Sequence, residues 1–125
     1  MKYNRYVYVF LGGLLGGLFR VTTIYGISFF DVPFITSTLV INLLGAFLLG
    51  IIFNRFKYKE NALIFITGCL GAFTTFSSLT LELSSLFERG DFLLFTLYLL
   101  VSMVLGLIMF IFGIKIQELR GDRDA

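Results

Sequence analysis

Three stretches of the chain carry no ionisable side chain at all: residues 32–54, 61–81 and 92–114 lack Asp, Glu, Lys and Arg over 23, 21 and 23 positions. A helix of that length, rising 1.5 Å per residue, crosses roughly 30 Å of hydrocarbon. A fourth apolar stretch, residues 6–30, is interrupted by a single charge, Arg20. The pattern predicts an all-α membrane protein with four transmembrane helices, at about 6–30, 33–53, 61–87 and 92–114. The connectors, residues 25–32 around Asp31 and Pro33, residues 54–60 and residues 88–91, are too short to hold a soluble domain, so residues 1–125 form one membrane domain. Residues 117–125 are polar and expected to fray. The tripeptide Arg120-Gly121-Asp122 in that tail is read as coincidence rather than as an adhesion sequence.

Composition agrees with the pattern. Of 125 residues 58% are hydrophobic and 14% charged, with a mean hydropathy of +0.93, which leaves too little polar surface to coat a soluble globule. A basic start followed by an apolar run resembles a secretory signal, but no small-x-small cleavage site follows it, and the first span is read as a mature helix. Cys69 is the single cysteine and histidine is absent, so disulfide frameworks, cysteine metal clusters and histidine acid-base chemistry are excluded. The hydroxyl side chains have no neighbouring His, Lys or carboxylate to act as base, and the chain is not read as an enzyme.

Charge also sets a side. If four helices cross, one face holds both termini and the second connector with Lys2, Arg5, Arg55, Lys57, Lys59, Lys115, Arg120 and Arg123, while the other holds Arg20 and Arg89, a split of 8 to 2. The positive-inside rule then predicts a multi-pass plasma-membrane protein with both termini in the cytoplasm.

Against this apolar background the polar groups stand out. In span one, Gly12 and Gly16, and Gly13 and Gly17, fall on one helical face and permit close backbone approach. Arg20 lies one turn beyond Gly16, either as a snorkelling anchor or as a fixed positive charge in a water-filled vestibule. Asn42 sits near the middle of span two, where an unpaired amide costs several kcal/mol. It must bond to a neighbouring helix or line a pore with its two N–H donors. In span four, Tyr98, Ser102 and Gly106 recur every fourth residue as one stripe. Span three carries Gly71-Ala72-Phe73-Thr74-Thr75-Phe76-Ser77-Ser78-Leu79, whose hydroxyls can bond one turn back and break the helix, forcing the freed main-chain groups to face protein, water or an ion. Glu82, near the outer end of span three, is expected in a solvated salt bridge with Arg20 or Arg89.

Taken together, Gly12-Gly13 with Gly16 and Arg20, the run Thr38-Leu39-Val40-Ile41-Asn42-Leu43-Leu44-Gly45, and Gly71-Ala72-Phe73-Thr74-Thr75-Phe76-Ser77-Ser78 resemble the Fluc (CrcB) family of fluoride channels over nearly the whole chain. The resemblance implies an antiparallel dimer of the dual-topology type, with two narrow pores along the subunit interface through which fluoride leaves the cell down its gradient, relieving its toxicity. It further implies a structural Na⁺ at the dimer interface, held by the main-chain carbonyls of Gly71 and Thr74 at a break in the third helix. The fluoride path would run past Asn42, Phe76, Ser77, Ser78, Tyr98 and Ser102, with Arg20 at the vestibule. Donor amides, hydroxyls and the positive ring edge of Phe76 suit a small, strongly hydrated anion.

The chain departs from the family pattern at Leu79, where a second pore phenylalanine is expected, and at Gly106 and Phe110, where hydroxyl residues are common. Its 8 to 2 charge split also forbids insertion in both orientations, so the second subunit is expected to be a paralogue of reversed Lys/Arg bias. A non-conducting partner or regulatory subunit of such a channel is the first alternative. A small four-span multidrug exporter is the second, and it lacks the membrane-embedded carboxylate that proton exchange needs.

Overall fold

The chain folds, in a computed structural model that describes residues 2–30, 36–56 and 59–123, into five helices in the order α1 (Lys2–Ser28), α2 (Ser37–Arg55), α3 (Glu60–Phe73), α4 (Phe76–Glu88) and α5 (Phe92–Arg123). Three units are long and apolar enough to cross a membrane: Tyr3–Ser28, the interrupted pair Glu60–Glu88, and Phe92–Gly121; the apolar part of α2, Ser37–Phe53, is shorter. The expected four-helix layout with a break in the third is therefore present, with several boundaries moved. Asp31, Val32 and Pro33 of the expected first connector, the start of the expected second span, and Lys57 of the second connector lie outside the described residues. The residues from Tyr25 to Ser28, expected to begin the first connector, continue α1.

The tail is a clearer correction. Instead of fraying from Gln117, α5 runs on as helix to Arg123. Good helix formers such as Glu118, Leu119 and Arg120 favour continuation. The end of α5 also lies beside the end of α2, since Ile116, Gln117 and Arg120 share a cleft with Ile51 and Arg55.

Glycine decides which helices touch. A Cβ on Gly12 would land on the Phe65 carbonyl, one on Gly16 on the Cys69 carbonyl, and one on Gly68 on the Val9 carbonyl, so α1 and α3 meet backbone to backbone. Gly50 and Gly113 do the same for α2 and α5, each facing the other helix's main chain. These two pairs dominate the packing, and the contacts joining one pair to the other are sparse. Small residues that let backbones approach are the usual means of holding membrane helices together, since lipid removes the hydrophobic drive between them.

A small core joins α2, α4 and α5, where Leu39, Leu83 and Tyr98 are buried among Leu43, Leu79, Leu86, Phe95, Leu99 and Val101. The turn between α4 and α5 is made at Gly90, whose φ of 77° favours glycine. Outward faces are apolar, with Phe10, Leu14 and Leu18 on α1 and Leu100, Met103 and Leu107 on α5 all exposed. The chain exposes 9176 Å² in all, against roughly 6,800 Å² for a folded soluble monomer of its 14.2 kDa. Such an open surface is at home in lipid or against a second protein.

The glycine seams make a testable contrast. Gly16→Ala should destabilise by about 1–3 kcal/mol, because the new methyl meets main chain that cannot yield. Gly17→Ala, whose methyl would meet nothing within 4 Å, should be neutral or slightly stabilising. Thermal unfolding midpoints in detergent separate the two.

Candidate functional site

Most hydroxyls in the bundle are satisfied by their own helix: Thr22, Thr23, Thr67, Thr80 and Thr96 each donate to a carbonyl one turn back. Those that reach between helices are few, and they mark two places.

The first is the interruption of the third crossing. Thr74 and Thr75 leave helical geometry for extended backbone, with ψ of 157° and 108°, a region that β-branched residues favour. The Thr74 hydroxyl bonds back to the Leu70 carbonyl at 2.9 Å, where the Thr74 N–H also donates at 2.9 Å. Thr75 has the opposite task. Its Oγ1 accepts the Ser78 N–H at 3.2 Å as the N-cap of α4, and its hydroxyl donates to Ser78 Oγ at 3.0 Å. One threonine thus ends a helix and the next begins another.

Asn42, on α2, pins this bend. Its Oδ1 accepts the Thr75 N–H at 2.8 Å and its Nδ2 donates to the Thr75 carbonyl at 3.0 Å. The two main-chain groups of Thr75 differ in kind, so they fix which end of the amide points where. The pairing reaches a buried backbone, since Thr75 is 7% exposed. Of Asn42's two N–H donors one is spent here and one remains.

The pin frees other groups. In an unbroken helix the Thr75 N–H would bond to the Gly71 carbonyl; here it goes to Asn42, and no described N–H reaches the carbonyls of Gly71, Ala72, Phe73 or Thr74. On the other side of the bend, the N–H groups of Phe76 and Ser77 open α4 without a described acceptor. A cluster of oxygens at a helix C-terminus suits a hard cation, and N–H groups at a helix N-terminus suit an anion. Gly45 is what lets α2 come this close, for a Cβ there would collide with the Thr74 methyl.

Asn42, Gly71, Thr74 and Phe76 line one cavity of about 700 Å³ with Gly45 and apolar side chains of α2 and α3. The Phe76 ring stands 77% exposed beside it. Ser77 and Ser78 gather around the Thr75 hydroxyl at the same bend.

The second place is a chain of hydroxyls ending on Glu82. Thr38 donates to Glu82 Oε1 at 2.7 Å and Tyr98 to Oε2 at 2.5 Å. Because the one proton of Tyr98 is committed to Glu82, the 2.9 Å contact between Thr36 Oγ1 and Tyr98 Oη has Thr36 as its donor. Thr38 and Tyr98 are 5% and 4% exposed, so this carboxylate is held by buried hydroxyls from α2 and α5. A second cavity of about 330 Å³ is lined by Thr36, Glu82, Arg89 and Tyr98, among others.

This corrects the expectation for Glu82. Its partners are hydroxyls, and the only ion pair among the described residues joins Arg5 to Glu60 across the ends of α1 and α3. Thr38 and Glu82 were missed as site residues. The signal available was depth: Glu82 lies six residues before the end of α4 and Tyr98 six after the start of α5, so the hairpin sets them level. The other expected residues stand apart. Ser102 donates to the Tyr98 carbonyl of its own helix at 2.7 Å, and Arg20 lines neither cavity while Arg89 lines the second. Leu79 packs against the Leu39, Leu83 and Tyr98 core.

Both places fall within the part of the chain that matches a known family. Residues 7–114 match the family described as CrcB-like protein, Camphor Resistance (CrcB). The chain is 40% identical over 121 residues to the fluoride-specific ion channel FluC 1 of Staphylococcus aureus (strain NCTC 8325 / PS 47), an alignment covering 90% of this chain and 95% of that protein. It is 41% identical over 117 residues to the fluoride-specific ion channel FluC 1 of Staphylococcus epidermidis (strain ATCC 12228 / FDA PCI 1200), with the same coverage of 90% and 95%.

The Asn42 pin generates a prediction. Asn42→Leu strands both main-chain groups of Thr75 and should cost about 2–4 kcal/mol, whereas Ser102→Ala, which removes a bond within one helix, should cost less than about 1 kcal/mol. Unfolding midpoints of the purified variants in one detergent give the comparison.

Proposed function

The chain belongs to the CrcB-like family, and from that membership we propose that it is a fluoride-specific ion channel subunit that lets F⁻ leave the cell passively, lowering its cytoplasmic concentration and toxicity. The observation that carries this reading is the pinned interruption. It leaves main-chain oxygens and N–H donors without described partners on the two sides of one bend in the middle of an apolar crossing, a costly arrangement unless ions occupy it.

The carbonyls of Gly71 and Thr74 have no described main-chain partner, and a hard cation such as Na⁺ takes oxygen ligands of this kind. The donor set therefore fits the structural ion implied by family resemblance. When bound, that ion would supply a fixed positive charge near the anion path. The chain's own part is to hold the oxygens in place, through Asn42, and to keep the Phe76 ring edge, the remaining Asn42 N–H and the Ser77 and Ser78 hydroxyls within reach of a dehydrating anion. Further along, Thr36, Tyr98, Thr38 and Glu82 form a polar relay whose hydroxyl protons, each held by an acceptor in the absence of F⁻, would turn toward the anion as it passes. Arg89, which lines the same cavity as Glu82, supplies positive charge there, and Arg20 keeps the role of a positive charge at the outer vestibule.

The second subunit is proposed to be a paralogue inserted the opposite way. An 8 to 2 split of basic residues favours one orientation with the termini in the cytoplasm, and one orientation supplies only half of an antiparallel pair. The exposed cavity at the bend, with Phe76 standing free, is where such a partner would close the path. Leu79, turned into this subunit's own core, offers no ring edge to a pore, which favours one conducting path over two. The same observation supports the alternative of a non-conducting partner subunit.

Fluoride efflux from liposomes tests these readings. The chain reconstituted with a paralogue of reversed Lys/Arg bias should release F⁻, and alone it should release little. Robust flux from the chain alone would refute the need for a paralogue, and no flux in either case would favour the non-conducting subunit. In the conducting preparation, Tyr98→Phe breaks the relay at its centre and should lower flux about tenfold, the equivalent of one hydrogen bond of 1–1.5 kcal/mol.

A further inference from the structure

Away from both places described above, a cleft of about 160 Å³ lies between the ends of α2 and α5, lined by Ile51, Arg55, Ile116, Gln117, Arg120 and Gly121. Its origin is geometric. The two helices run in the same direction and are pinned backbone to backbone where Gly50 meets Gly113; one to two turns beyond that point they carry larger side chains, and the space between them opens. Its volume equals that of roughly five liquid waters, enough for a compact oxyanion.

Two arginines line this small space, and neither has a carboxylate partner among the described residues, where the only ion pair is Arg5 with Glu60. Glu118 lies two positions from Arg120, an offset that points it away from the same helical face, and it does not line the cleft. The C-termini of α2 and α5 each contribute a partial negative charge of about one half, which together offset only part of two full positive charges. Two like charges held together without a counter-ion among the described residues call for an anion.

Depth tells which anion. Arg55 directly follows the uncharged run 32–54, and Arg120 is six residues past the end of the run 92–114, about 9 Å along the helix. That is headgroup level for a bilayer whose polar layers add about 5–8 Å on each side. Ile51 and Ile116 form the floor toward the hydrocarbon, where a lipid's glycerol and first methylenes would sit. A soluble anion has no use for that floor. Basic pockets between membrane helices are suited to anionic headgroups.

We propose that the cleft between the ends of α2 and α5 binds the phosphate of an anionic phospholipid, with Arg55 and Arg120 gripping the headgroup above an apolar floor of Ile51 and Ile116. Guanidinium is the better cation for this, because its planar fork meets two phosphate oxygens at once. Gln117 adds a neutral donor.

The test uses the purified full chain in a neutral detergent, with bound lipid counted by native mass spectrometry and stability followed by thermal unfolding. Phosphatidylglycerol should stay bound and raise the unfolding midpoint, and phosphatidylcholine should do neither. Arg55→Gln combined with Arg120→Gln should lower phosphatidylglycerol retention at least fivefold, a factor of about 1 kcal/mol in affinity. Lys59→Gln with Lys115→Gln removes the same charge from the same membrane face without touching the cleft and should leave retention within twofold of the unaltered chain. Equal retention of the two lipids by the unaltered chain would overturn the proposal whatever the variants do. So would equal losses from both double variants, which would mean diffuse surface charge. Displacement of phosphatidylglycerol by millimolar inorganic phosphate would also overturn it, by pointing to a soluble-anion site.

Discussion

One side chain, the Asn42 carboxamide, exchanges two hydrogen bonds with the main chain of Thr75, and the remaining features of the bend follow from that exchange. In a membrane a helix is the cheapest way to pair backbone groups, and leaving it costs several kcal/mol for each group stranded. Thr74 and Thr75 favour extended backbone, yet in water-free surroundings their preference alone is worth far less than the bonds it breaks. Asn42 changes the balance because it acts as a backbone in miniature, giving Thr75 both an acceptor and a donor. What it does not repay are the carbonyls from Gly71 to Thr74, and those become the open valences of the molecule.

The glycine seams are the second half of that constraint. Asn42 can reach Thr75 only if α2 comes close to the bend, and Gly45 permits that approach. Gly50 with Gly113, and Gly12 and Gly16 with the α3 backbone, fix the two helix pairs whose relative position the Asn42 bonds then tie together. Because the pairs touch each other sparingly, the polar exchange between α2 and the bend is a large share of what joins them. A bundle built this way has little core of its own: among the described residues five apolar side chains are buried, and Leu39, Leu83 and Tyr98 make the one cluster. Its stability rests on close backbone seams and on satisfied polar groups rather than on volume of buried hydrocarbon.

How much of this could be read in the chain depends on the kind of physics involved. The spans were legible because hydrocarbon excludes ionisable groups so strongly that a run of 21 to 23 residues without one marks a crossing. The break was legible because glycine followed by four hydroxyls is a poor way to fill a lipid-facing helix. Partner choice was not. Asn42 could be recognised as needing a partner, but its burial cost is the same whichever helix satisfies it, so Thr75 could not be singled out. Glu82 was misassigned for a related reason: near a helix end an arginine is the obvious counter-charge, and only the tertiary level of Thr38 and Tyr98 shows that two neutral hydroxyls from α2 and α5 hold the carboxylate instead. The end of α5 was misjudged because local polarity predicts fraying, whereas the neighbouring α2 extends support past the apolar run.

The asymmetry of the molecule bears on how ions would be treated at the bend. Gly71 to Thr74 end one helix and Phe76 and Ser77 begin another, so the last carbonyl oxygens of α3 are directed forward along the chain and the first amide protons of α4 back, both toward the bend. A cation on the first set and an anion passing the second would each reduce the other's desolvation cost, for opposite charges a few ångströms apart in a medium of low dielectric attract far more strongly than in water. Neither set suffices alone. Four carbonyls without a cation would repel fluoride from the region, and donors without a nearby positive charge would be weak replacements for its hydration shell. On the reading proposed here, the interruption is therefore a device for pairing an immobile cation with a mobile anion. The cost of breaking the helix is met jointly by Asn42 and by the ions that the break makes room for.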